Sequence, residues 1–110
     1  MYETEDGDCP YTVWFEALRD KRAKQRIGAR IRRVEGGNFG DSKAVGEGVI
    51  ELRVDYGPGY RVYFGRDGNK LVVLLIGGDK RTQAKDIAAA KGYWADYKAR
   101  RTEEQNDTHS

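Results

Sequence analysis

The chain is poor in the residues that carry most familiar chemistry. It has one cysteine, Cys9, and one histidine, His109, in 110 residues. A single cysteine excludes an internal disulfide and fits a reducing compartment. One cysteine and one tail histidine cannot build a zinc site. With histidine only in the tail, no Ser-His-Asp triad is available either. The acids are scattered, which argues against a two-metal nuclease, and no metal or other cofactor is expected. The longest apolar run, Leu71 to Ile76, falls far short of the roughly 18 residues of a membrane helix. The acidic stretch Met1 to Asp8 lacks the basic and apolar pattern of a targeting signal, so the expected place is the cytoplasm, with no membrane partner. Gly77-Gly78-Asp79-Lys80 lacks the spacing of a phosphate-binding P-loop.

What the chain has is charge, and the charge is unevenly placed. The net value is only +2, but the first eight residues carry four acids and no base, and the last eight carry three acids. The stretch between them sets 20 bases against 11 acids, a body of +9. Such a body suits a polyanion, nucleic acid first, or else simply a solvated basic surface.

The length fits one domain, expected over residues 1–101, with 102–110 a polar tail expected to be disordered. Pro10 suits the first turn of a short helix over Tyr11 to Arg19, with Trp14, Phe15 and Leu18 on one face. Asp20 can cap a second helix running to about Val34, whose apolar stripe is Ile27, Ile31 and Val34. That helix otherwise carries Lys21, Arg22, Lys24, Arg26, Arg30, Arg32 and Arg33, with no acid among them. Gly36-Gly37 ends it.

Three strands follow. Val49 to Asp55 alternates, with Ile50, Leu52 and Val54 opposite Glu51, Arg53 and Asp55. A turn at Tyr56-Gly57-Pro58-Gly59 leads into Tyr60 to Phe64, where Tyr60, Val62 and Phe64 oppose Arg61 and Tyr63. A second turn at Arg66-Asp67-Gly68-Asn69 leads into Lys70 to Ile76, apolar on both faces as a covered strand should be. Gly77-Gly78-Asp79 is expected to break that strand. A last helix is expected from about Thr82 to Arg100, with Ile87, Ala90, Trp94 and Tyr97 on one face. Met1 to Asp8 is a poor strand sequence. The simplest assembly is a helical hairpin on an antiparallel meander, an α+β architecture with a C-terminal helix.

A meander brings Arg53 and Arg61 to one polar face, with Tyr63 beside Arg61. Lys80 and Arg81 follow the third strand, and Gln83 and Lys85 come close behind. Arginine and lysine suit phosphate; tyrosines such as Tyr60 and Tyr63 suit either packing or base stacking. RNA can be cleaved without metal or histidine, because its 2′-OH attacks the adjacent phosphate. A protein then supplies orientation, charge and modest proton transfer.

The series Gly37-Asn38-Phe39-Gly40-Asp41, Val45-Gly46-Glu47-Gly48-Val49, Glu51-Leu52-Arg53, Tyr56 to Phe64 and Leu74-Leu75-Ile76-Gly77-Gly78-Asp79-Lys80 resembles the addiction-module killer proteins, the HigB-like branch of the RelE/ParE toxin superfamily. The resemblance covers roughly residues 11 to 95. It implies a RelE-like fold and a type II toxin that cuts mRNA in the ribosomal A site without metal. It implies as partners the ribosome, that mRNA and a helix-turn-helix antitoxin, with operator DNA reached only through the antitoxin. By the same resemblance Arg61 matches the arginine at the scissile phosphate, Lys80 and Arg81 match the basic pair after the last strand, and Arg53 falls at a strand lysine. Tyr63, Lys80 or Lys85 is left to move protons. Tyr60, Gln83 and Lys85 are expected to bind substrate. Two departures stand out: Glu51 where the family has a lysine, and no tyrosine within Gln83 to Ile87. The superfamily also contains ParE-like inhibitors of DNA gyrase that cut nothing, and a decayed toxin acting as a corepressor is a third reading.

Overall fold

The computed structural model describes residues 1–67 and 71–107. Its elements in chain order are α1 (Pro10–Ala17), α2 (Lys21–Glu35), β1 (Ser42–Gly46), β2 (Val49–Val54), β3 (Tyr60–Asp67), β4 (Leu71–Asp79), a single 3-10 turn (Lys80–Thr82) and α3 (Gln83–Asp107). The four strands form one antiparallel sheet in the order β1-β2-β3-β4. This is the α+β arrangement expected from the sequence, with its helical hairpin and C-terminal helix, and it is consistent with a RelE-like fold.

Local chemistry explains the helix starts. Pro10 sits in the first turn of α1. Asp20 caps α2 by accepting the backbone N–H groups of Arg22 and Ala23 at 3.0 and 3.2 Å. The period-two alternation of β2 and β3 then gives the sheet two apolar faces. On one face Leu52, Val54, Val62 and Phe64 pack against Tyr11, Ile27, Ile31 and Val34 of the helical hairpin. On the other Val49, Tyr63, Val73 and Leu75 pack against Ala90 and Trp94 of α3. The result is three layers, with the hairpin and α3 on opposite sides of the sheet. Each fully buried aliphatic or aromatic side chain contributes roughly 1.5–3 kcal/mol through water excluded from it.

The structure departs from the sequence-based expectations in three places, and it adds a buried anchor at the N-terminus. The sheet has a fourth strand, β1, paired to β2 through Ser42–Leu52, Lys43–Glu51 and Ala44–Ile50. The acidic N-terminus is not a strand, but Tyr2 is buried. Its N–H donates to the Leu74 carbonyl at 3.0 Å, its hydroxyl donates to Asp96 at 2.6 Å and its ring stacks on Tyr93 at 5.0 Å. The last helix begins at Gln83 and runs past Arg101 to Asp107. Finally, Gly77-Gly78-Asp79 does not break β4: Gly77 pairs with Val62, Gly78 with Arg61 and Asp79 with Tyr60. The glycines serve close packing instead of turning. A Cβ on Gly77 would overlap the Trp14 indole, and one on Gly78 would overlap the Asp86 carboxylate. The Gly68-Asn69 centre of the second expected turn, and Lys70 at the start of the third expected strand, lie outside the described residues.

Gly77→Ala is therefore expected to lower stability by about 1–3 kcal/mol, the usual cost of forcing extra volume into a packed site. Urea unfolding should show a lower midpoint with the denaturant slope unchanged.

Candidate functional site

The pairing of β2 with β3 sets Arg53 opposite Arg61 and Glu51 opposite Tyr63. Two guanidinium groups directly across a sheet repel each other. The charge that reconciles them is Glu51, two residues before Arg53 and so on the same face. Its residue exposure is 0%. One carboxylate oxygen accepts Nε–H of Arg53 at 3.0 Å and lies 3.8 Å from Nε of Arg61. The other accepts the Tyr63 hydroxyl at 2.9 Å and Nε2–H of Gln83 at 2.8 Å. Burial by itself would raise the Glu51 carboxyl. The hydrogen bonds from Arg53, Gln83 and Tyr63, with the Arg53 charge, outweigh burial and hold it below the ordinary carboxylate value.

Tyr63 behaves in the opposite sense. It is fully buried, and burial pushes its phenol well above the ordinary tyrosine value, with the bond to the Glu51 carboxylate adding to the rise. The Arg61 side chain is 14% exposed. Its Nη1 donates to the Tyr60 carbonyl at 3.4 Å, while its buried Nε has only the Glu51 charge nearby.

Beside this hub opens a surface hollow of about 400 Å³. Arg53, Arg61 and Lys80 line it with Asp41, Asp55 and the Gly57-Pro58-Gly59 turn. The Lys80 backbone N–H donates to the Gly59 carbonyl at 2.9 Å, which fixes where the Lys80 side chain starts. With Glu51 beneath, three cations face three carboxylates. The hollow is thus a charge-balanced site with directed donors. It can orient an anionic group through guanidinium and ammonium N–H groups, and it does not present a broad positive field.

The expected site residues separate into three groups. Arg53, Arg61, Tyr63 and Gln83 meet at Glu51, and Lys80 joins Arg53 and Arg61 at the hollow. Arg81 and Lys85 stand apart from it in solvent. The Arg81 guanidinium, 84% exposed, pairs with Asp79 at 3.2 Å. Hydrogen bonding from Arg81 in turn holds the Asp79 carboxyl below its ordinary value. Asp79 caps the short turn that presents Lys80 and Arg81.

Two tyrosines do not stand where a substrate would meet them. Tyr60 lies on the opposite face, edge-on to Trp14 at 6.3 Å, because β3 alternates and Arg61 takes the other side. Tyr63 shares the face of Arg61 but is sealed beneath α3. Among the described residues, no three His, Cys, Asp or Glu side chains cluster closely enough to hold a metal ion.

Two residues escaped the sequence reading. In the sequence Glu51 stands on the polar side of its strand and where the family has a lysine, with nothing more to mark it as an anchor. Its signal was an acid inside an alternating strand, on the same side as Arg53. Arg30 read as one more basic residue of α2. Its Nη1 donates to the Arg53 carbonyl at 2.6 Å, and its Nη2 donates to the carbonyls of Phe39 and Asp41, each at 3.2 Å. Its spacing, three after Ile27 and four before Val34, put it on the edge of the buried stripe.

Because the folded-state value of Glu51 is lowered, its contribution to stability is fully present above the unfolded value of 4.5 and is lost as pH falls through the folded one. Glu51→Gln is expected to cost about 3 kcal/mol near neutrality, since it leaves the donors of a buried ion pair uncompensated. In urea midpoints measured from pH 7 to pH 3, the gap between variant and wild type should narrow only below pH 4.5. A gap of constant size would show that the Glu51 carboxyl titrates alike in the folded and unfolded chain, and so is not lowered by folding.

Comparison with known proteins bears on residues 13–92, which match the family model described as phage derived protein Gp49-like (DUF891). The matched segment contains Glu51, Arg53, Arg61, Tyr63, Lys80 and Gln83. An uncharacterized protein of Haemophilus influenzae (strain ATCC 51907 / DSM 11121 / KW20 / Rd) is 55% identical over 81 residues, covering 74% of this chain and 82% of the relative. No solved structure matches the chain. With the whole hub inside the matched segment, the chain belongs to the phage-derived Gp49-like family, a toxin-like family related to the RelE/HigB addiction modules.

Proposed function

We propose that the protein is the toxin of a type II toxin–antitoxin pair and that it cleaves mRNA in the ribosomal A site without metal. The observation that supports this most directly is the convergence of Arg53, Arg61 and Lys80 on one hollow, with the Glu51 carboxylate hydrogen-bonded to Arg53 and within ion-pair distance of Arg61. In this reading Arg61 and Lys80 grip the scissile phosphate and stabilise the charge that builds on it. The 2′-oxygen forms a bond to phosphorus, the bond from phosphorus to the 5′-oxygen breaks, and a 2′,3′-cyclic phosphate results. Lys80, exposed at the rim, supplies a proton to the leaving 5′-oxygen. Glu51 and Tyr63 are hydrogen-bonded to each other out of solvent, so the 2′-hydroxyl proton passes to water or to an RNA group of the ribosome. A site that needs a proton acceptor from its target gives ribosome dependence a chemical reason. The working compartment is the cytoplasm, and a helix-turn-helix antitoxin restrains the toxin by covering the hollow.

One observation favours a second reading, a toxin on the same fold that binds a target such as DNA gyrase without cutting nucleic acid. Neither Tyr63 nor Glu51 is open to a substrate, which leaves the hollow short of an acid–base pair.

The deciding assay uses purified protein and programmed ribosomes with an occupied P site. Wild type should cut within the A-site codon. Arg61→Ala and Lys80→Ala should each slow cutting by roughly 10²–10³-fold, as loss of a transition-state donor does. Intact mRNA from a preparation that still arrests cell growth would favour the gyrase reading, and relaxation of supercoiled DNA would then be followed.

A further inference from the structure

The charge balance of the hollow leaves open where the basic excess of the molecule lies. Much of it lies on α2. At 100° per residue Arg22, Arg26 and Arg33 fall within about 40° of one another, on a single stripe. All three are exposed. None of them enters an ion pair among the described residues. Arg26 lies over the Tyr56 ring at 4.8 Å. Lys21 and Arg32 point to the other flank of the helix.

The stripe adjoins the hollow. Arg26, Ala29, Arg30 and Arg33 line a groove of about 260 Å³ together with Val54 and Asp55. Asp55 also lines the hollow of Arg53, Arg61 and Lys80. Arg30 bridges the two by donating to the Arg53 carbonyl. From Arg22 to Arg33 the helix rises ~16 Å, enough to follow several successive phosphates beyond the one in the hollow.

We propose that this stripe is a nucleic-acid backbone track, which holds the RNA strand flanking the phosphate seated in the hollow. The inference rests on the nuclease reading for what occupies the hollow, and on α2 itself for the track. Two features favour RNA over an acidic protein surface. Protein interfaces draw their affinity from anchors, arginines among them, that are set in well-packed apolar and aromatic surroundings. Among the described residues only Met1 and Val13 are large exposed hydrophobics, and neither is on α2. A phosphate backbone needs no such anchor, only unpaired cations at regular intervals. The track is also continuous with the phosphate-directed donors, as a strand passing through a cleavage site requires.

The test is binding of a fluorescein-labelled 20-nucleotide uridylate RNA, followed by anisotropy over a salt series with the full chain. The track variant is Arg22→Gln, Arg26→Gln, Arg33→Gln. The control, Lys21→Gln, Lys24→Gln, Arg32→Gln, removes equal charge from the other flank of α2. The exposed substitutions change stability little, and urea midpoints would verify that the control also tolerates loss of the half-buried Lys24, which donates to the Glu16 carbonyl. Loss of up to three single-strand phosphate contacts should reduce the slope of log affinity against log salt by about 2, and affinity at low salt by about tenfold or more. The control should change the slope by less than half as much. The lysine version, Arg22→Lys, Arg26→Lys, Arg33→Lys, should restore the wild-type slope. Equal losses from track and control variants would overturn the track in favour of a diffuse field. An unchanged slope in the track variant would overturn it too and leave the face to an acidic protein. Wild-type protein that binds this RNA through the track yet cuts no ribosomal mRNA would keep the track and remove the nuclease reading.

Discussion

Glu51 is a carboxylate with no access to water, set among side chains that direct three hydrogen bonds and a second positive charge at it. A buried charge of this kind is tolerated only when its lone pairs are filled and its charge is matched. Arg53 and Tyr63 fill it from β2 and β3, Gln83 fills it from the start of α3, and Arg61 supplies a second cation. One residue thereby joins two strands to the helix that covers them. The dependence runs in both directions. Without α3 the carboxylate loses Gln83 and its shelter. Without the carboxylate Arg53 and Arg61 face each other across the sheet as like charges, and the buried Tyr63 hydroxyl loses its acceptor. Removing one partner leaves the others stranded, so the group acts as a unit and single substitutions within it will not add.

The same carboxylate shapes the electrostatics of the surface above it. It neutralises part of the charge that Arg53, Arg61 and Lys80 bring to the hollow, and Asp41 and Asp55 at the rim offset more. What remains is direction: the Arg53 guanidinium is hydrogen-bonded to a buried carboxylate, and Arg61 lies within ion-pair distance of the same charge. Orientation of donors governs selectivity at a phosphate, whereas unpaired charge governs attraction over distance. The molecule separates the two, with directed donors in the hollow and unpaired arginines on α2.

Much of this architecture is written in local pattern. The alternation of β2 and β3, the caps Asp20 and Pro10, and the apolar stripes of α2 and α3 all agree with the structure, because in each case the local period and the tertiary burial coincide. The misses occur where they diverge. β1 is short and half-exposed, so it carries no alternation to read. Gly77-Gly78 has the composition of a turn. It is strand because Trp14, remote in sequence, and Asp86, from the first turn of α3, press on its two faces. Pattern placed Arg53, Arg61 and Tyr63 on one face but could not say that α3 would seal Tyr63 away while leaving the tip of Arg53 in reach. Glu51 was hidden for a related reason. An acid in an alternating strand looks solvent-facing until both faces of the sheet are found to be covered.

A buried acid beneath the proposed phosphate site has a cost that bears on what such a site can bind. Its negative charge lies close to Arg61, and any phosphate drawn to that arginine feels the carboxylate too. At an effective dielectric of about 20, a unit charge a few ångströms further away still opposes the phosphate by on the order of 2 kcal/mol, much of what a single guanidinium contributes. Intrinsic affinity for an isolated phosphate is therefore modest. A site of this kind discriminates by geometry and leaves occupancy to contacts made elsewhere, on a target large enough to reach them. A glutamate at this position, where a lysine would bind phosphate more tightly, is intelligible on that basis. In the proposed function the acid anchors Arg53, draws Arg61 toward it, and lowers the attraction of the hollow for polyanions in general.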